Sequence, residues 1–109
     1  MNEVLSNDLD EKILLSITNA LESIGAGVSS VSYFQFKVET GLDRSAIPRN
    51  MELFETALSM FFGVGNKFVI SAIRTELRKD FQLPYEGTDD LIEIVSLIRK
   101  NALRKSITS

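Results

Sequence analysis

Apolar residues recur at intervals of three and four along most of this chain, a spacing that places side chains on one face of an α-helix. The first such stripe comprises Leu9, Ile13, Ile17, Leu21 and Ile24. Asp8, with Glu11 three residues later, is typical of a helix N-cap, and Gly25 is typical of a helix end. The pattern therefore predicts a helix from Asp8 to Ile24.

Four further segments carry helical stripes, and Gly and Pro residues separate them. They predict a helix over 28–40 that ends at Gly41, a short helix from Asn50 to Gly63, a helix from Asn66 to about Phe81, and a last helix after Thr88. Asn50, Asn66 and Thr88 are predicted to cap the last three of these helices. The residues predicted to face inward are Val28, Val31, Phe34 and Val38; Phe54, Ala57, Leu58 and Phe61; Ile70, Ile73 and Leu77; and Leu91, Val95, Ile98 and Ala102.

Residues 31–38 are ambiguous, because they are rich in the β-branched and aromatic residues that favour strands. The chain has no second strong strand candidate, however, and a lone strand would leave its backbone groups unpaired. A length of 109 residues allows one domain. We therefore predict an all-α fold: a compact single-domain bundle of about five helices. The single helical domain is predicted to cover residues 1–109, with disordered ends at about 1–6 and 106–109.

The chain contains neither Cys nor His. Without Cys there can be no disulfide, thiol nucleophile or Cys-based metal site. Without His the chain lacks the commonest general base near neutral pH and the commonest metal ligand. We therefore predict a protein that is not an enzyme, with no catalytic residue, no metal and no cofactor.

The charge of the chain disfavours nucleic acid as a general partner. Twelve basic and fifteen acidic side chains give a net charge of −3, and an acidic domain has no sequence-independent attraction to phosphate backbones. The charge is unevenly spread: residues 1–55 hold 4 basic and 9 acidic side chains, and residues 56–109 hold 8 and 6. This polarity is suited to head-to-tail association or to a local basic face, or is incidental.

No segment of the sequence is typical of a membrane span or a secretory signal. The longest run without a charged residue, Ser23–Phe36, has 14 residues, whereas a spanning helix needs about 20 mostly apolar ones. The first residues, MNEVLSNDLDEK, are acidic and poor in apolar side chains, unlike a secretory signal. The sequence therefore predicts a soluble, cytoplasmic protein with no membrane partner.

A row of cations along the predicted fourth helix is the best candidate for a partner surface. Lys67, Ser71, Arg74 and Arg78 lie on one face, and Lys79 lies beside them. Such a face suits an acidic partner or a phosphate, although a solvated polar face is the simpler interpretation. Tyr85, next to Pro84 in the following loop, is a further candidate for a protein contact.

Three other patterns have simple structural interpretations. Gly63-Val64-Gly65-Asn66-Lys67 is similar to a phosphate-binding loop but lacks a preceding strand and a third Gly, so it predicts a tight corner between helices. Asp89 and Glu93, four residues apart, predict solvated acids near a helix N-terminus. The aromatic residues predicted to pack in the core, rather than to stack on bases, are Tyr33, Phe34, Phe36, Phe61 and Phe62.

Residues 39–47 give the main alternative function. Glu39-Thr40-Gly41-Leu42-Asp43-Arg44-Ser45-Ala46-Ile47 is similar to the turn and recognition-helix entry of winged-helix regulators. This alternative is a DNA-binding transcriptional regulator with a degenerate helix-turn-helix at about 39–58. Pro48 argues against it, since a proline inside the recognition helix would cost about 3 kcal/mol. The neighbourhood is also acidic.

A longer resemblance runs from Val31 to Leu77. The residues that carry it are Val31-Ser32-Tyr33-Phe34, Glu39-Thr40-Gly41-Leu42, Ile47-Pro48, Leu53-Phe54, Ala57-Leu58, Phe61-Phe62-Gly63-Val64-Gly65, Phe68 and the stripe from Ile73 to Leu77. In these positions the chain resembles an archaeal domain family of unknown function, the Nitrosopumilus-type output domain. The resemblance implies an all-helical domain, here in a stand-alone form, that occurs alone or fused to signal-transduction modules and has no established catalytic residues.

From the residues and the resemblance together we predict a non-enzymatic helical interaction module with a regulatory role, such as a stand-alone signalling output domain in an archaeal cell. Its predicted partner is another protein or a second copy of the chain, which would form a homodimer.

Overall fold

Helices make up the regular structure of this chain in the computed structural model, which describes the backbone of residues 2–84 and 87–108 and the side chains of residues 8–84 and 87–104. The α-helices are α1 (Asn2–Ile24), α2 (Val28–Thr40), α3 (Met51–Phe62), α4 (Asn66–Asp80) and α5 (Leu91–Thr108). Two 3₁₀ helices, Arg44–Arg49 and Gly63–Gly65, lie before and after α3. The radius of gyration is 13.8 Å, close to the roughly 13 Å expected of a compact domain of this length. The predicted all-α bundle is confirmed over the described residues.

The first helix begins earlier than the sequence predicts. It starts at Asn2, so the prediction that Asp8 is its N-cap is wrong. Asp8 instead lies inside the helix and pairs with Lys12 across one turn, at 3.7 Å. The end of α1 before Gly25 is as predicted. The side chains of the ends predicted to be disordered lie outside the described residues, and that prediction stays a prediction.

The core forms around α1, which packs against α2, α4, α5 and the first 3₁₀ helix. Its stripe is buried as predicted at Ile13, Ile17 and Leu21, but Ile24 is exposed. α4 faces α1 with Ile73 and Leu77, both fully buried. Each such burial contributes about 1.5–3 kcal/mol to stability.

Two hydroxyl contacts connect α1 to its neighbouring helices. The hydroxyl of Ser16 donates a hydrogen bond to the Asp80 carboxylate at the end of α4, at 2.6 Å. The hydroxyls of Thr18 and Tyr33 bond to each other, which connects α1 to α2. Since α2 follows α1 after a three-residue turn, it runs back along α1.

The inward face of α2 is the face opposite to the predicted one. The helix and its end at Gly41 are confirmed, and Gly41 has the left-handed φ of 74° that suits glycine. Its buried residues, however, are Ser29, Ser32, Tyr33 and Phe36. The predicted inward residues Val31, Phe34 and Val38 are exposed, Phe34 to 69%.

Ring packing and small side chains explain which face of α2 is buried. The Phe36 ring meets Phe54 of α3 edge to face, with centroids 5.8 Å apart, a favourable arrangement for aromatic pairs. Ser29 and Ser32 take up little space, and their hydroxyls are satisfied locally. Ser29 donates to the Glu22 carboxylate at 2.7 Å, and Ser32 donates to the Val28 carbonyl at 2.7 Å. We name the exposed residues Val31, Phe34 and Val38 the α2 outer face.

The three predicted helix caps are wrong in detail. Asn50 makes no side-chain capping bond and donates instead to the Ala46 carbonyl at 2.8 Å. Asn66 is the first residue of α4, and Gly65 before it is already helical, so no extended cap residue precedes this helix. Thr88 accepts from the backbone N–H of Asp90, whereas Asp90 accepts from the N–H of Ile92 and is the residue that caps α5.

The predicted stripes of α3, α4 and α5 are largely confirmed. Phe54, Ala57 and Leu58 of α3 are buried, but Phe61 is about half exposed. Ile70 of α4 and Ala102 of α5 are partly buried. The stripe of α5 is buried at Leu91, Val95 and Ile98, and it also includes Ile94, which the sequence pattern missed.

A sharp elbow separates α3 from α4. Gly63 has φ +57° and ψ −125°, a conformation that residues with a side chain rarely adopt. The 3₁₀ turn Gly63–Gly65 follows directly and leads into α4. The predicted tight corner is therefore present, and glycine is required at Gly63.

Candidate interaction site

The predicted basic face of α4 is partly used inside the protein. Arg78 is buried, and its guanidinium donates to the Thr88 carbonyl and, at 3.0 Å, to the Asp89 carboxylate. Arg74 lies 3.8 Å from the same carboxylate. The hydrogen bond from Arg78 and the charge of Arg74 hold the pKa of Asp89 below its usual value. These two arginines therefore tie the segment before α5 to α4.

The other predicted partner residues do not join these arginines in one site. Lys79 pairs with Glu76 at 3.2 Å. Lys67 is exposed at the opposite end of α4. Tyr85 lies outside the described residues.

The structure also locates the remaining patterns. Asp89 precedes α5 and Glu93 lies in its first turn; both are exposed, as predicted for acids near a helix N-terminus. Of the five aromatic residues predicted to lie in the core, Tyr33 and Phe36 are buried and Phe34 is exposed. Phe61 and Phe62, at the end of α3, contact each other edge to face at 4.9 Å.

The segment that is similar to a helix-turn-helix forms a 3₁₀ helix rather than an α-helix between α2 and α3. Pro48 lies inside this 3₁₀ helix, Arg44–Arg49, and both Ile47 and Pro48 are buried. Its inner side therefore packs into the core. Asp43, just before this 3₁₀ helix, and Glu52, in the first turn of α3 after it, are both exposed.

The elbow between α3 and α4 carries a group of exposed apolar side chains, which we name the apolar corner: Met60, Phe61, Val64 and Phe68. Val64 is 99% exposed and Phe68 is 81% exposed. From position 56 to position 73, Lys67 is the single charged residue. Contiguous exposed apolar residues of this kind mark interaction sites on soluble domains.

Because residues 56–73 carry only one charge, the helical stretch around the apolar corner has the composition of a membrane span. Among the described residues, the helical stretch Met51–Asp80 is long and apolar enough to cross a bilayer, by length and composition alone. In this fold, however, the stretch is bent at Gly63. Its buried residues, among them Phe54, Leu58 and Ile73, are part of the core, but only 22% of the most apolar 18-residue window is buried.

A groove lies between the start of α3 and the outer side of α5. Its volume is about 600 Å³, and its lining consists of Pro48, Arg49, Asn50, Met51, Glu52, Leu53, Ile92, Val95, Ser96 and Arg99. We name it the α3–α5 groove. Its floor includes the buried side chains of Met51 and Val95, and its rim includes Leu53 and Ile92, which are 44% and 41% exposed.

A buried carboxylate holds the two arginines of the groove in place. Asp10 of α1 is 8% exposed, and its Oδ2 accepts a hydrogen bond from Arg49 Nε at 2.7 Å. Its Oδ1 lies 2.7 Å from Arg99 Nη1, in a close ion pair whose angle is not that of an aligned hydrogen bond. Arg99 also donates to the Pro48 carbonyl at 3.0 Å. These contacts join α1, the first 3₁₀ helix and α5.

Three carboxylates, two on α3 and one just before α5, are near enough to one another to interact electrostatically. Burial raises the pKa of Glu55 above its ordinary value, and the charges of Asp90 and Glu52 raise it further. Since Glu52 lines the groove, we name Glu52, Glu55 and Asp90 the acidic edge. The groove thus has an apolar floor, Glu52 of the acidic edge in its lining, and a pair of arginines tied to Asp10.

The chain matches no family model, no curated protein and no solved structure. The function proposed below therefore depends on the geometry of the described residues.

Proposed function

We propose that this protein is a non-enzymatic helical interaction module with a regulatory role, and that it binds a protein partner or a second copy through the apolar corner. The exposure of Val64 and Phe68 is the observation that carries the proposal. Met60 and Phe61, close to them in sequence at the end of α3, are also exposed, so the elbow carries four exposed apolar side chains.

The energetics of the apolar corner favour a binding role. Removing apolar surface from water contributes about 25 cal/mol per Å², and Phe68 offers most of its ring for such burial. The corner is not needed to complete the core, because the core-facing side chains of α3 and α4 point elsewhere. The apolar surface of the corner therefore contributes favourable free energy only when another molecule covers it.

The regulatory part of the proposal depends on the resemblance to the archaeal output-domain family. In that family the domain occurs alone or beside signal-transduction modules. A cytoplasmic output domain that acts by binding another protein is consistent with an exposed apolar surface. It also agrees with the chain's lack of His and Cys.

The experiment that tests the proposal is affinity capture from native lysate, with and without nuclease. Wild-type protein is compared with Val64→Asp, which changes a side chain that contacts almost nothing in the fold. The matched control is Leu15→Asp, since Leu15 is also exposed but lies on α1. We expect a nuclease-resistant partner that wild type and Leu15→Asp retain and Val64→Asp loses.

The other outcomes contradict the proposal. No retained protein, or equal retention by all three proteins, would show that the apolar corner is not a binding surface. Retention that nuclease abolishes would support the alternative, a DNA-binding regulator that uses residues 39–58.

A further inference from the structure

We propose that the apolar corner of one copy inserts into the α3–α5 groove of a second copy, so that the chain associates head to tail. This inference builds on the proposed function and commits the apolar corner to one occupant. The exposed apolar corner and a groove whose lining is half apolar and half polar occur on the same molecule. Two different surfaces that fit each other are the condition for a heterologous contact between identical chains.

The shapes of the two surfaces fit this contact. Val64 is the most exposed residue of the corner, and Phe68 is four positions further along the chain. The groove has a volume of about 600 Å³, within the range of about 300–1,000 Å³ that is usual for pockets binding apolar ligands. Leu53 and Ile92 at its rim are partly exposed, so an inserted ring would cover apolar surface on both copies.

One molecule cannot make this contact with itself. Leu53 of the groove and Val64 of the corner lie near opposite ends of α3. Eleven helical residues span about 16 Å at 1.5 Å per residue. The groove of a given copy is therefore out of reach of its own corner, and only a second copy can bring the two together.

Lys67 of the corner and the acidic edge beside the groove carry opposite charges, although the groove lining also includes Arg49 and Arg99. Lys67 is exposed within the corner, and residues 56–75 include no acidic residue. Glu52 of the acidic edge lines the groove, with Glu55 and Asp90 close to it. An inserted corner brings Lys67 toward this edge, and opposite charges at the rim of an interface fix its orientation. The two arginines of the groove are already paired with Asp10.

A head-to-tail contact has a signature that a two-fold dimer lacks. After one contact forms, one copy still has an open groove and the other still has a free corner, so association continues with concentration or closes into a ring. Two variants that each lack a different half of the contact should then complement each other. Val64→Asp removes the corner and leaves the groove intact, whereas Ile92→Asp does the opposite.

Light scattering and sedimentation velocity on the purified full chain test the inference, at concentrations up to millimolar. We expect wild type to form species larger than a monomer, and each variant alone to remain monomeric. A mixture of the two variants should form a complex of one copy of each and grow no further. Circular dichroism melting checks that both variants fold. Glu52→Lys replaces Ile92→Asp if the latter does not fold, because Glu52 is exposed.

The remaining outcomes overturn the inference. The inference is wrong if the wild type stays monomeric at millimolar concentration, or if the mixture of the two variants forms no complex. It is also wrong if Phe34→Asp abolishes association but Val64→Asp does not. The last result would indicate a two-fold dimer through the α2 outer face. Failure here together with retention of a partner that depends on Val64 in the lysate experiment leaves the proposed function intact. Failure of both removes the apolar corner as a binding surface.

Discussion

Asp10 and Arg99 join the first helix to the last, with a carboxylate oxygen 2.7 Å from a guanidinium nitrogen. The same carboxylate binds Arg49, so one buried acid compensates two cations from distant parts of the chain. Removing such a partner leaves cations without their counter-charge, and the cost is partly offset here because Arg49 is half exposed.

We predict that Asp10→Asn lowers the free energy of unfolding by about 1–3 kcal/mol. The amide keeps the size of the side chain but removes its charge. Urea denaturation measures the change. Asp8→Asn is the control, because its ion pair with Lys12 is exposed and contributes less than about 1 kcal/mol. Equal effects of the two substitutions would contradict the assignment of Asp10 as the central contact.

The face of α2 that is buried can be tested with two phenylalanines of the same helix. Phe36 is fully buried against Phe54, whereas Phe34 is 69% exposed. We predict that Phe36→Ala lowers the free energy of unfolding by about 3–5 kcal/mol. Phe34→Ala should change it by less than about 0.5 kcal/mol. Thermal or urea unfolding measures both changes. A larger loss of stability in Phe34→Ala than in Phe36→Ala would indicate that the face predicted from the apolar pattern is the buried one.

Glu55 gives a prediction for the dependence of stability on pH. Burial, Asp90 and Glu52 raise its pKa in the folded chain above the ordinary value of 4.5. The folded state therefore holds this proton to a higher pH than the unfolded state does. Ionised Glu55 then costs stability as the pH rises above 4.5, and the cost is absent below it.

We predict that Glu55→Gln stabilises the protein at neutral pH by less than about 1 kcal/mol, since Glu55 is partly solvated. The gain should disappear as the pH falls through 4.5. Unfolding midpoints measured across this pH range check the prediction. Glu11→Gln, at an exposed position on α1, should show no such gain. A gain that persists in acid would exclude a charge effect at Glu55.

The elbow predicts opposite effects at two neighbouring glycines. Gly63 has φ +57°, whereas Gly65 has φ −74°, and a Cβ at either position would meet no atom within 4 Å. Gly63→Ala should therefore destabilise the fold by about 1–3 kcal/mol through backbone strain alone. Gly65→Ala should be neutral or slightly stabilising. Melting temperatures of the two variants make the comparison, and equal values would mean that the strain at Gly63 is absent.

Helical periodicity was sufficient to predict the all-α fold, because each helix has apolar residues at intervals of three and four. The same pattern indicated the inner face of most helices. It failed at α2, where both faces carry apolar side chains. The buried face there is decided by the fit of Phe36 against Phe54 and by the small Ser32, and these are tertiary facts. Hydrophobicity ranks Val and Phe above Ser, so it selects the wrong face.

The candidate site was less predictable than the fold. The low charge of residues 56–73 is visible in the sequence, but their exposure depends on the backbone at Gly63. The α3–α5 groove joins segments some forty residues apart, which no local pattern brings together. The role of Asp10 is not visible in the sequence pattern, because its arginine partners, Arg49 and Arg99, are distant in sequence.

The bend at Gly63 also determines how long the straight helices within residues 51–80 are. With a right-handed backbone at that one position, these 30 residues would continue as a straight rod about 45 Å long, more than enough to traverse a lipid bilayer of about 30 Å. The backbone at Gly63 instead divides this stretch into two shorter helices, α3 and α4, whose inner sides are part of the apolar core. The φ and ψ angles of one glycine thus divide a stretch with the length and composition of a transmembrane helix into two helices that are each too short to span a bilayer.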